Sequence, residues 1–190
     1  MKRLTKLMSV LAAGALFMGA LTGCGGSKDA GKAGDTIKIG GLLEMTGGSA
    51  SFGISSKNGI DLALKKINEK GVLGGKKLSF VVADTKSEAS EATNGMQKLV
   101  SQDKVVAVIG PNQSSAVIAA GAINNCAKVL GITPMGTNPD VTVDPKTKKT
   151  KEYNFRACFI DPFQGTVMAN YAFKQGAKKV AIVQEVSNDY

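Results

Sequence analysis

At 190 residues and a formal charge of +9, the chain is long enough for one modest domain. It contains no histidine, which removes the commonest general base and the commonest metal ligand. Only 5% of residues are aromatic and none is tryptophan, so the lysines lack the interleaved rings that a nucleic-acid surface would use.

The chain opens on a basic start, Lys2, Arg3 and Lys6, followed by an uncharged and mostly apolar run from Leu7 to Leu21. This run is about 15 residues long, short of the roughly 20 a spanning helix needs, and reads as a secretory leader over residues 1–23. It closes on Leu21-Thr22-Gly23-Cys24, which resembles a bacterial lipoprotein lipobox. That resemblance implies that Cys24 is acylated and that the mature protein is held by lipid on the extracytoplasmic face of the membrane. Three of the positive charges leave with the leader, and the remaining lysines read as a solvated surface facing an anionic envelope. Residues 24–35 are small, polar and charged, as in a flexible tether.

From Thr36 a strand–helix rhythm sets in. Thr36–Leu43 is β-rich and leads into a loop rich in glycine and serine, Thr46–Gly53. Asn58–Glu69 carries Ile60, Leu64 and Ile67 at helical spacing, with Gly71 placed to end the helix. Leu78–Ala83 predicts a second strand. Glu88–Gln102 predicts a helix capped by Ser87, with Ala92, Met96, Leu99 and Val100 inward. Val105–Ile109 is a continuous apolar run, the pattern of a parallel strand buried on both faces. Ser115–Lys128 predicts a helix and Val129–Thr133 a strand. Asn138–Lys151, with two prolines and most of a lysine cluster, predicts a loop or a poorly ordered hairpin. Tyr153–Phe159 predicts a strand. Asp161-Pro162 predicts a capped start for a helix ending at Gln175 before Gly176, and Lys179–Val183 predicts a last strand. The alternation specifies an α/β fold with an open, doubly wound parallel sheet, whose ligands sit in loops at the carboxyl ends of strands.

Three such loops carry candidate chemistry. Gly48–Ser55 nearly matches a phosphate-binding loop, but Ile54 stands where the lysine would be, so nucleotide binding is rejected and a flexible cleft wall is expected. Gly110–Ser115 follows a strand and opens a helix, so its backbone N–H groups and serine hydroxyls could hold a carboxylate or phosphate; Ser114 or Ser115 acting only as a helix cap is equally consistent. Pro134–Pro139 offers the hydroxyl and N–H of Thr137, or is simply a turn. Cys126 and Cys158 sit in apolar contexts, and sequence leaves open whether they pair or stay as buried thiols.

The segments IKIGGLLEMTGGSASFG, VVAVIGPNQSS, ITPMGTNPD and YNFRACFIDPFQG, in that order, resemble the N-terminal part of branched-chain amino-acid ABC-transporter binding proteins. The resemblance implies the type I periplasmic-binding-protein (Venus-flytrap) fold, two lobes closing on an amino acid, with residues 36–153 an incomplete first lobe and 154–190 the truncated start of the second. It places Ser114 and Thr137 on the ligand carboxylate, with the Thr137 hydroxyl and the Met135 carbonyl on the ammonium. Ser115 lies beside them, Phe52 matches a ring wall, and Tyr190 matches a second-lobe tyrosine that descends on the ligand. Asn112 and Gln113 depart from the pattern, standing where an apolar side-chain pocket is expected. A solute receptor without catalysis, cofactor or metal is implied. Its partners would be a small amino acid and membrane permease subunits, with no nucleic acid, and it would act as a monomer. The leading alternative is a sensor of the same fold for amides or other small acids. An envelope hydrolase is disfavoured by the lack of histidine and of a G-x-S-x-G elbow.

Overall fold

The computed structural model describes residues 36–71 and 74–183. The expected leader, the tether, Cys24 and Tyr190 lie outside the described residues. Five strands, β1 (Thr36–Leu43), β2 (Lys77–Asp84), β3 (Ala107–Ile109), β4 (Leu130–Thr133) and β5 (Asn154–Arg156), form one sheet in the order β2-β1-β3-β4-β5. Every neighbouring pair is parallel, with Ile39 opposite both Phe80 and Ala107, Ile109 opposite Ile132, and Thr133 opposite Arg156. Helices α1 (Ala50–Lys70), α2 (Ala89–Ser101), α3 (Ser114–Ala127) and α4 (Asp161–Lys174) alternate with the strands. The expected doubly wound α/β sheet is therefore present.

The core follows from residue size and register. Leu42, Ala83 and Val108 point to one face, where Ala92, Met96 and Leu99 of α2 and Ala116 and Ala120 of α3 cover them. Small residues on α3 and Gly95 on α2 let both helices approach; a Cβ at Gly95 would meet Leu42 at 2.7 Å. On the opposite face α1 lies over β1 and β2, leaving an apolar groove of about 420 Å³ lined by Ile60, Leu64, Ile67, Leu78, Ala107 and Ile109. Val106, Leu130 and Phe155 are each more than two-fifths exposed. The expectation that the Val105–Ile109 strand is buried on both faces fails here, because among the described residues no helix covers β3 to β5 on that side.

Several element boundaries differ from expectation. Helix α1 begins eight residues early and absorbs the second half of the glycine-serine loop, because Gly53 lets its first turn sit directly on the backbone of Glu44. Ser87 does not cap α2: its φ is 64°, Glu88 takes the N-cap position, and the Ser87 hydroxyl donates to the Thr46 carbonyl at 2.9 Å. Asp161 is the first residue of α4 and not its cap, which is Ile160. The 138–151 segment holds a short 3-10 turn, Pro139–Val141, and an antiparallel bridge between Val143 and Thr150, a small hairpin turned on Asp144. Strand β5 pairs with β4, so the first sheet runs three residues past the expected lobe boundary at Tyr153. Lys179–Val183 is not a strand, since among the described residues no strand pairs with it to satisfy its backbone ladder, and Ile182 and Val183 are largely exposed. Cys126 and Cys158 are free thiols. Cys126 is exposed and not buried, while partial burial pushes the Cys158 thiol upward against a smaller pull from Arg156.

Candidate functional site

Strand order reverses between β1 and β3, and the carboxyl ends of those strands flank the crevice where open sheets of this kind bind ligands. Glu44, the residue after β1, spans that crevice. Its side chain is fully buried, and its carboxylate accepts the backbone N–H groups of Asn112 (3.0 Å) and Gln113 (3.2 Å) and the Asn112 amide (2.8 Å). The turn that receives it needs Gly110, whose φ is 100° and whose Cβ would sit 2.1 Å from the Leu42 carbonyl. The Gly110–Pro111 peptide is cis.

This arrangement corrects two expectations. Two of the N–H groups read as an external carboxylate or phosphate site are already taken by an internal carboxylate. Asn112 and Gln113 do not stand as unpaired amides in an apolar pocket either. Asn112 is 2% exposed and also accepts from the Ser56 hydroxyl at 3.0 Å, while the Gln113 amide donates to Ser49 at 2.9 Å. Ser49 is the N-cap residue of α1, so the glycine-serine loop is a pinned helix start and not a flexible wall.

The second loop is held with equal density. The Thr133 hydroxyl donates to the Pro111 carbonyl at 2.6 Å and accepts from the N–H groups of Gly136 (2.9 Å) and Met135 (3.3 Å), so one buried side chain joins the two loops. Arg156, at the end of β5, spreads its guanidinium over the carbonyls of Gly136, Asn138 and Pro139 and the Thr142 hydroxyl, at 2.8 to 3.2 Å. Sequence reading missed Glu44, Thr133 and Arg156. Their signal was weak, a charged or polar residue at the last position of a strand or just past it.

Between these supports lie the expected site residues. Ser114 is fully buried at the first position of α3 and accepts the Asn138 N–H at 3.3 Å; the N-cap is Gln113 and its side chain makes no capping bond. Ser114 is therefore not the cap of this helix. Thr137 is 5% exposed, and its Oγ1 is the one buried side-chain polar atom among the described residues without a hydrogen-bond partner. Its carbonyl accepts the N–H of Asp161 at 3.2 Å, which ties the same loop to α4. Met135 and Ser115 are half-buried nearby in the chain, and Phe52 is about half exposed on the first turn of α1. The structure thus brings Ser114, Met135 and Thr137 to one end of the sheet, while Tyr190 lies outside the described residues.

A parallel α/β lobe with this site belongs to a known class of binding proteins: the chain is a member of the periplasmic binding protein family, whose family model matches residues 36–189. An amino acid binding protein of Pseudomonas aeruginosa is 37% identical over 150 residues, covering 78% of this chain and 39% of that protein. The leucine-binding protein LivK of Thermotoga maritima superposes with a TM-score of 0.71 at 39% identity, covering 81% of this chain and 42% of that one. The branched-chain amino acid binding protein LivJ of Streptococcus pneumoniae, solved with isoleucine, gives 0.67 at 38% identity, covering 74% and 38%. A solute-binding protein of Rhodopseudomonas palustris, solved with 3,4-dihydroxybenzoic acid, gives 0.66 at 28% identity, covering 75% and 37%. The chain spans about two-fifths of the length of the relatives it matches.

Proposed function

We propose that the chain supplies the first lobe of an extracytoplasmic solute receptor that binds an amino acid, leucine, isoleucine or valine first among them, and delivers it to an ABC importer. The observation that carries this reading is the buried, unpartnered hydroxyl of Thr137 beside Ser114 and Met135. A buried hydroxyl without a partner costs about 1–3 kcal/mol, and a ligand ammonium at that position would remove the cost. Ser114 accepts from Asn138, which leaves its own O–H to donate to a ligand carboxylate. Thr137 N–H joins it there, and the Met135 carbonyl takes a second ammonium proton. Ser115 and the Phe52 ring border the ligand, and Tyr190 closes on it from the second lobe. The residues that follow β5, from Ala157 onward, begin that lobe. The receptor acts as a monomer without cofactor or catalysis. Acylation at Cys24, after removal of residues 1–23, tethers it through residues 24–35 beside the permease.

Isothermal titration of the native gene product that carries this chain tests the assignment. Thr137→Val and Ser114→Ala should each weaken leucine, isoleucine or valine binding by about 10–100-fold, the effect of one hydrogen bond to a charged group. Unchanged affinity in both variants would remove the site. A second reading, a receptor for small carboxylic acids, is favoured by the relative solved with 3,4-dihydroxybenzoic acid. Binding of benzoates with no response to amino acids would select it.

A further inference from the structure

We infer that Glu44 selects ligand charge at this site, favouring a zwitterionic amino acid over the same molecule without its ammonium group. The inference rests on the proposed amino-acid site and names the residue that sets its preference between the two ligand classes seen among the structural neighbours.

Glu44 is buried without a cation. Among the described residues the ion pairs are Lys57–Asp61, Lys86–Glu91 and Lys98–Asp103, and none involves it. Its oxygens face donors only: two backbone N–H groups and one side-chain amide. That donor set holds an ionised carboxylate, an acceptor-only group. The charge is met by dipoles, those of the turn and the start of α3, and dipoles reduce its field without cancelling it.

The field falls on the ligand site. Gln113, which donates to Glu44, is bonded directly to Ser114, and two residues span at most about 7 Å. Ser114 in turn holds Asn138, the neighbour of Thr137. A negative charge fixed behind this turn repels a ligand carboxylate and attracts a ligand ammonium. A zwitterion presents both and comes close to balance; a simple acid presents only the repelled group. Over such distances in a protein interior, one unit charge changes a binding constant by about tenfold or more. Glu44 also suits the donors it meets: its two oxygens take all three, whereas a glutamine would match them only if the Asn112 amide turned over and the Ser56 hydroxyl changed from donor to acceptor.

The test compares L-leucine with 4-methylpentanoate, which keeps the side chain and carboxylate and lacks the ammonium, by titration calorimetry on the native gene product. Glu44→Gln should shrink the affinity ratio between the two about tenfold. The double variant Glu44→Gln/Asn112→Asp restores donor–acceptor pairing and returns a negative charge to the turn, so the ratio should recover. A parallel loss for both ligands, with an unchanged ratio, would reduce Glu44 to a structural role and overturn the inference. Should Glu44→Gln fail to fold by circular dichroism, Gln113→Lys puts an ammonium on a side chain of similar length at the same turn and leaves the backbone bonds to Glu44 in place. The ratio must shrink there too, and no change would again overturn it. If the unaltered protein binds neither leucine nor any other amino acid, the site reading itself falls and takes this inference with it, a result distinguishable because it precedes any variant.

Discussion

Asp84 does for the β1–α1 connection what Glu44 does for the β3–α3 turn. Its carboxylate accepts from the N–H groups of Met45, Thr46 and Lys86 at 2.8 to 3.2 Å and from the Thr46 hydroxyl at 2.7 Å. Burial pulls its pKa upward, but these four hydrogen bonds together outweigh burial and hold it below the usual aspartate value. A group whose folded pKa is depressed stabilises the fold above its unfolded pKa, and that contribution fades as pH falls through the folded value. Asp84→Asn should therefore melt below the parent at pH 7, with the gap closing as the pH is lowered below the usual aspartate range. Thermal melts across that range check it, and a gap independent of pH would mean that the charge is not what Asp84 contributes. Arg156 is the counterpart in charge, a cation gathering carbonyls behind the Thr137 loop. One anion holds the N–H groups of the first loop and one cation the carbonyls of the second.

At the scale of elements, α1 shows why part of the site was legible and part was not. Periodicity located Ile60, Leu64 and Ile67, because apolar side chains at helical spacing need a core and declare themselves. The first two turns of α1 were lost because glycine and serine are poor helix formers, and only a tertiary contact explains them. A Cβ at Gly53 would lie 2.1 Å from the Glu44 carbonyl, backbone against backbone, so nothing flexible can yield. Gly53→Ala should destabilise the chain by about 3 kcal/mol, the upper range for overpacking, as read by urea denaturation. A loss below about 0.5 kcal/mol would mean that the helix can lift off β1, against the packing described. β1, β2, β4 and α2 were read to within a residue for the same reason as the apolar part of α1, whereas the expected strand Tyr153–Phe159 is only Asn154–Arg156 and Lys179–Val183 is not a strand. Ser114 and Thr137 were candidates by their place at strand ends, and only the family resemblance gave them and Met135 an expected ligand role, since spacing alone could not separate a ligand loop from a plain turn. Glu44 and Arg156 escaped because their roles depend on which loops the sheet order brings together, and β1 meets β3 only in the fold.

The whole molecule is unevenly covered, and this has a measurable consequence. Purely parallel sheets occur almost only where both faces are buried. Here β3, β4 and β5 are covered by α2 and α3 on one side, while Val106, Leu130 and Phe155 stand open on the other. Helix α4 has no buried residue and presents Phe163, Met168, Tyr171 and Phe173 to solvent. Large apolar side chains exposed in this number on one domain mark surfaces built to meet other protein. The 190-residue chain should therefore bind an apolar fluorescent dye such as ANS in its native state. Leu130→Lys with Phe155→Lys should lower that fluorescence without abolishing it, because α4 is untouched. Both side chains are nearly half exposed already, so the melting temperature should shift little, each change costing about 1 kcal/mol or less. Dye binding that ignores these substitutions would show the sheet face to be closed in solution; dye binding that disappears with them would show that α4 folds back and is not exposed.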